Sequence, residues 1–231
     1  ITLKDKEHFI LASTPFLGIP RASARQRGTD NDITPFEEIT YWKPFVAGIA
    51  PGLTIPSSNT ENANVSLGLF LAKNDNIKGF QGSVFGCIVD DELHGTQASL
   101  LFNHTRNGFR GAQISSFMNS STNGSIEGAQ ISAFFNTACG QFTGVQGSGF
   151  LNITRDQFKG VQFAGFMNIA NHSVEGVQAA GFMNIAREVD GVQAGLINFA
   201  KSNTGLSLGL VNIILDGVFN PGICLDTNGN L

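Results

Sequence analysis

Tyrosine and tryptophan are nearly missing from this sequence, with one of each among 231 residues. That scarcity argues against a transmembrane β-barrel, whose interfacial girdles are built from these two residues. The pair present, Tyr41 and Trp42, precedes the patterned region. Cysteine is scarce too: Cys87, Cys139 and Cys224 form no CxxC and keep no zinc-type spacing with histidine. They suggest neither a disulfide framework nor a metal site, and no cofactor is expected. Charged residues make up only 14% of the chain, and the formal charge of −4 argues against a nucleic-acid binder. Arg21, Arg25 and Arg27 are a local exception, read as a solvated loop. No uninterrupted apolar run reaches the roughly 18 residues of a membrane helix. The chain opens on ITLKDKEHF, without an initiator Met or a signal peptide, which reads as a mature or trimmed product.

What is abundant is glycine, 28 residues, and phenylalanine, 20. Both fall into a repeat. Glycines at 79, 95, 111, 128, 144, 160, 176, 191 and 205 open successive units 14 to 17 residues apart. Two residues after the first eight comes glutamine, including Gln113, Gln130, Gln146, Gln162 and Gln178. Later in each unit comes asparagine, including Asn119, Asn136, Asn152, Asn168 and Asn184, with Cys87 in its place in the first unit. A large apolar residue stands two before the Asn: Leu101, Phe117, Phe134, Phe150, Phe166 and Phe182. Another precedes the repeat glycine by two, as in Leu93, Phe109, Ile126, Phe142, Phe158, Val174 and Val189, so the connecting stretch also packs against something.

Within GVQAAGFMNIA the residues alternate with the period of a strand. An all-β fold follows, and the leading expectation is a parallel β-solenoid of about 16-residue coils with a non-repeat N-terminal cap. In it Phe stacks on Phe inside, and Gln and Asn amides form ladders, each donating to the next. The alternative is an antiparallel meander closing as a β-barrel. Direct likeness of neighbouring units favours the solenoid. So does the Gln-to-Asn distance, six residues in most units and five from Gln193 to Asn198, which calls for a corner at the intervening glycine. The domain expectation is a cap over 1–63, the tandem repeat over 64–215 and a tail over 216–231 that serves the other end.

Few residues suggest chemistry. The Gln and Asn rows read as a structural ladder rather than a ligand-binding comb. His8, His94, His104 and His172 occupy different phases of the repeat and stack into no imidazole row. Asp90–Asp91–Glu92 and Asp30–Asn31–Asp32 offer carboxylates but continue into no calcium-loop pattern, so they read as solvated turns. Of six glycosylation-type sequons, at Asn64, Asn103, Asn119, Asn123, Asn152 and Asn171, three coincide with the repeat Asn and follow from it.

The units GVQAAGFMNIA and GVQAGLINFA, preceded by PFVAGIAPGLTIPSSNTENANVSLGLFLA, resemble bacterial surface repeat-containing proteins of spirochaetes and Bacteroidetes. Those carry tandem Gly-x-Gln-x-x-Gly-x-x-Asn units, and the likeness covers roughly residues 44–215. Cys87, Val84 and Leu100 depart from the pattern in the first units. The resemblance implies export to a surface or outer-envelope location. The expected function is a non-enzymatic envelope or surface protein presenting a rigid binding or structural face. Its partner would be a macromolecule, a glycan or another envelope component, not nucleic acid, with membrane association left open. An outer-membrane barrel is the alternative. A polysaccharide-active β-helix enzyme ranks last, because repeat positions supply almost no paired carboxylates.

Overall fold

Each sequence unit folds as one coil made of two strands. In one coil Leu93–Ser99 forms a seven-residue strand, Leu100 and Leu101 make a bend, and Phe102–Thr105 forms a four-residue strand. A short turn then feeds the next long strand, Phe109–Ser115. Gln97 and Asn103, six residues apart, both face inward, and the two-residue bend between them interrupts the alternation by turning Leu100 and Leu101 out. In later coils the turn straightens, and Met167–Ala180 runs as a single 14-residue strand.

The computed structural model describes residues 42–55, 62–216 and 223–224, and these form a parallel β-solenoid of about ten coils. Every coil pairs with the next in register, like on like. Gln130 lies against Gln113 and Gln146, and Asn136 against Asn119 and Asn152. Among the described residues the sole antiparallel pairing is at the start, between Lys43–Ala50 and Leu53–Ile55. The meander alternative is thereby replaced by two parallel sheets, one of long strands and one of short strands.

The stack begins ahead of residue 64. Lys43–Ala50 pairs in parallel with Asn62–Gly68, although it carries no Gly-x-Gln motif. The antiparallel strand Leu53–Ile55 then covers part of its free edge, which would otherwise be open to another chain. At the far end Val211–Ile214 pairs with Ile223–Cys224. The arginine cluster, the Asp30–Asp32 triplet, His8 and most of the expected cap and tail lie outside the described residues.

The interior is narrow and layered. One row is apolar: Ile77, Leu93, Phe109, Ile126, Phe142 and Phe158, continuing to Val189, all nearly fully buried. Phe142 and Phe158 stack at 5.3 Å. Beside it run the Gln row and the Asn row, each with no exposed surface, and then a row of small residues such as Ala138, Thr154 and Ala170. The phenylalanines two before the Asn, expected inside, are outside. Phe117, Phe134, Phe150 and Phe166 are 36–48% exposed and stack along the outer bend at 5.0–5.4 Å. The reason is the bend: it turns out to the surface the residue, four after Gln, that unbroken strand alternation would send inward.

The repeat glycine is required by both backbone and space. Gly111 has φ +134°, a region L side chains rarely adopt. A Cβ there would lie 1.9 Å from the carbonyl oxygen of Gly95 in the preceding coil. Glycine stacked on glycine lets the long strand bend while consecutive backbones stay in hydrogen-bonding contact.

Candidate functional site

The residues singled out by the repeat form two columns of amides through the interior. Along the first, each glutamine Nε2 donates to the Oε1 of the glutamine one coil earlier. These bonds run from Gln97→Gln81 to Gln193→Gln178 at 2.7–2.9 Å. Along the second, each asparagine Nδ2 donates to the Oδ1 of the asparagine one coil later. That series runs from Asn103→Asn119 to Asn198→Asn212 at 2.8–3.0 Å. The two columns therefore point their side-chain dipoles in opposite directions along the stack.

The second hydrogen of each asparagine from Asn103 to Asn198 binds the backbone. Asn168 Nδ2 also donates to the Ala179 carbonyl at 2.7 Å, and Asn136 Nδ2 to Gly147 at 2.6 Å. These carbonyls sit where the long strand runs into the bend, so the asparagine satisfies an acceptor at the point where the sheet ladder breaks. Gln130 and Gln178 reach across to carbonyls of the short strand, Thr137 and Ile185, at 3.3 Å. With every amide nitrogen of the two columns hydrogen-bonded and no exposed surface, the amides hold the coil together and present nothing to a ligand. The sequon residues Asn103, Asn119 and Asn152 belong to this buried column, so the folded chain offers them to no glycosyl transfer.

Both columns end the same way. The donor end is satisfied: Gln81 Nε2 meets Asn74 Oδ1 at 2.9 Å, and Asn212 Nδ2 meets the Gly209 carbonyl at 3.3 Å. The acceptor end is left open at Gln193 Oε1 and at Asn103 Oδ1. Asn103 lacks a donor because its neighbour in the preceding coil is Cys87. That thiol is fully buried, and burial pushes its pKa up to about 11, so it stays protonated and inert.

The remaining candidates lie in the turns. Asp90 pairs with Lys73 at 2.8 Å and Arg106 at 3.5 Å, bridging three coils. The bond to Asp90, and then its charge, raise the pKa of Lys73. Asp91 accepts from Asn107 Nδ2 at 2.8 Å, and Glu92 lies 3.3 Å from His94. A shallow cleft lined by Glu92, His94, Asn107, Phe109 and Arg110 is the best-formed concavity, and Arg110 is already paired with Glu127 at 3.2 Å. Asp90 and Asp91 thus serve as ties between coils, and Glu92 pairs within its own. His104 sits apart on the outer short-strand face, where burial, then the Arg106 charge, lower its pKa. No group of three or more His, Cys, Asp or Glu side chains among the described residues could hold a metal ion.

Sequence reasoning missed the outer surface. From each repeat glycine to the residue after the Asn, as in 128–137, 144–153 and 160–169, no Asp, Glu, Lys or Arg occurs. From Gly79 to Asp216 charge is confined to the stretch between the short strand's Asn region and the next repeat glycine, in the turns and on the strand residues beside them, such as Arg110, Glu127 and Lys159. That spacing was readable as a signal, and it marks a continuous uncharged exterior across the bend and both sheets. Searches against protein-family models, curated proteins and solved structures found no match. No helix among the described residues is long and apolar enough to cross a membrane, which does not bear on strands.

Proposed function

We propose that this chain is a non-enzymatic repeat protein of the bacterial envelope or cell surface, whose stacked coils present a rigid binding or structural face. The observation that carries the reading is the separation of roles in every coil. Polar amides are spent inside on rigidity, while from Gly79 on the outside of each coil, from the repeat glycine to the residue after the Asn, carries no Asp, Glu, Lys or Arg, and in the later coils it is apolar. A solenoid built this way makes a long surface whose positions are fixed relative to one another. The turn carboxylates Asp90 and Asp91 are tied to lysine, arginine and asparagine, an arrangement suited to holding turns together. The resemblance to surface repeat proteins supports the location. On intact cells that make the protein, a membrane-impermeant amine reagent is expected to label the exposed Lys159 and Lys201. Labelling seen only after lysis would contradict a surface position.

A further inference from the structure

The outer surface of the last coils is apolar on both sheets and on the bend between them. On the short strands the outward residues run Leu151 and Ile153, Met167 and Ile169, Met183 and Ile185, and so on to Val211 and Ile213. The long strands turn out Val145, Val161, Phe163 and Leu208, each 37–47% exposed. Between the two sheets stands the ridge of Phe150, Phe166, Phe182, Leu196 and Leu210, with Leu210 63% exposed. Stretches 144–153, 160–170, 176–186, 191–200 and 205–215 contain no Asp, Glu, Lys, Arg or His. The charges of these coils lie toward the other end of the strands from the ridge, Arg155 and Asp156 in a turn and Lys159, Glu175 and Arg187 on the strand segments that flank or replace it.

We propose that this part of the stack, residues 144–215, rests in the interfacial region of a lipid bilayer, ridge inward and charged turns toward water. The inference deepens the surface-protein reading above by naming its ligand. Three observations select lipid. The apolar surface wraps a convex bend and covers two faces, so a second copy packed flat on one sheet would leave the other sheet and the ridge in water. A fluid acyl layer conforms to all three. The polar interior is closed off from its surroundings: amides pair with amides, the sheets' backbone bonds run along the stack, and the unpaired Ser148 Oγ and Gln193 Oε1 are buried already, so immersion takes no further polar group of the ladders out of water. The cross-section is amphipathic in the sense of an interfacial helix, with charge and apolar bulk at opposite ends. Five coils at about 4.8 Å each give a ridge on the order of 24 Å long, lying parallel to the membrane plane. Attraction to anionic headgroups has no part in this, since the chain carries −4 and Lys159 and Lys201 are paired with Glu175 and Asp216.

The test is flotation of the full chain with phosphatidylcholine vesicles, in low salt and in 1 M NaCl, the latter screening charge to about 3 Å. The protein is expected to float in both. The double variant Phe150→Ser/Phe166→Ser, checked for an unchanged far-UV spectrum, is expected to bind at least tenfold more weakly. Should that variant fail to fold, single tryptophans carry the test in a Trp42→Phe background. A Phe166→Trp probe is expected to be quenched by brominated phosphatidylcholine, and a Glu175→Trp probe is not. Protein that stays at the bottom of the gradient overturns the proposal, as does equal quenching of both probes. A reversible dimer abolished by the Phe pair, without flotation, would overturn it in favour of a second copy. None of these failures touches the labelling of Lys159 and Lys201 on cells, so the two readings fail separately.

Discussion

An unprotonated carboxamide offers both a donor and an acceptor, and that is why Gln and Asn, rather than Ser or Asp, fill these columns. Asn168 is the clearest case. It accepts from Asn152 at 2.9 Å and donates to Asn184 at 3.0 Å and to the Ala179 carbonyl at 2.7 Å. Asn168→Ala leaves all three partners unmatched in a site with no exposure, and should cost roughly 1–3 kcal/mol, read as a lower denaturation midpoint. Asn168→Asp should be at least as harmful at neutral pH, because a carboxylate would face two carbonyl oxygens with nothing to donate. Its folded-state pKa would be raised, so the lost stability should return in part as acid supplies the missing proton. Midpoints unchanged in both variants would contradict a buried ladder. Cys87 gives the opposite prediction. Its Sγ lies 3.5 Å from the Ala98 carbonyl, the acceptor an asparagine would use in this place, and Asn103 Oδ1 waits unpaired beside it. Cys87→Asn should extend the column by one bond and raise stability by up to about 1 kcal/mol. A fall in the midpoint would show that the first coils cannot take the later pattern.

A coil is the unit of the fold because it contacts only its neighbours. Gly160 to Glu175 is one such unit, with Gly176 stacked on Gly160 and Gly160 on Gly144. Deleting 160–175 joins register to register, and the shortened chain should keep its spectrum and lose stability by an increment. Deleting eight residues instead brings Gln against the wrong row and should unfold the later coils. Equal collapse of both would speak against a solenoid. Much of this element was legible in the sequence. The period, the Gln and Asn rows and the corner between Gln178 and Asn184 all follow from spacing, since like residues at constant intervals can meet only if coils stack in parallel. The facing of Phe150 and Phe166 did not follow. Their outward position depends on a two-residue bend that breaks the strand alternation at those residues, and alternation and hydrophobicity alone send them the wrong way. Nor did the first coil, because Lys43–Ala50 joins the stack through backbone pairing, which needs no motif.

Across the whole molecule the usual arrangement of a soluble core is inverted in part. A file of amides shares the centre with one apolar row, and much of the large apolar surface lies outside. Such a molecule stands on the claim that its internal amides are dry, paired and released only when the stack opens. Side-chain hydrogen exchange followed by NMR, with the Gln and Asn carboxamides isotopically labelled, measures that claim directly. The carboxamide protons of Gln97 through Gln193 and Asn103 through Asn198 should be protected by at least about a thousandfold and exchange only with opening of the coils. Exposed amides such as Asn107 and Gln141 should exchange at nearly free rates. Fast exchange along both columns in the folded protein would mean a hydrated interior, and would contradict the account.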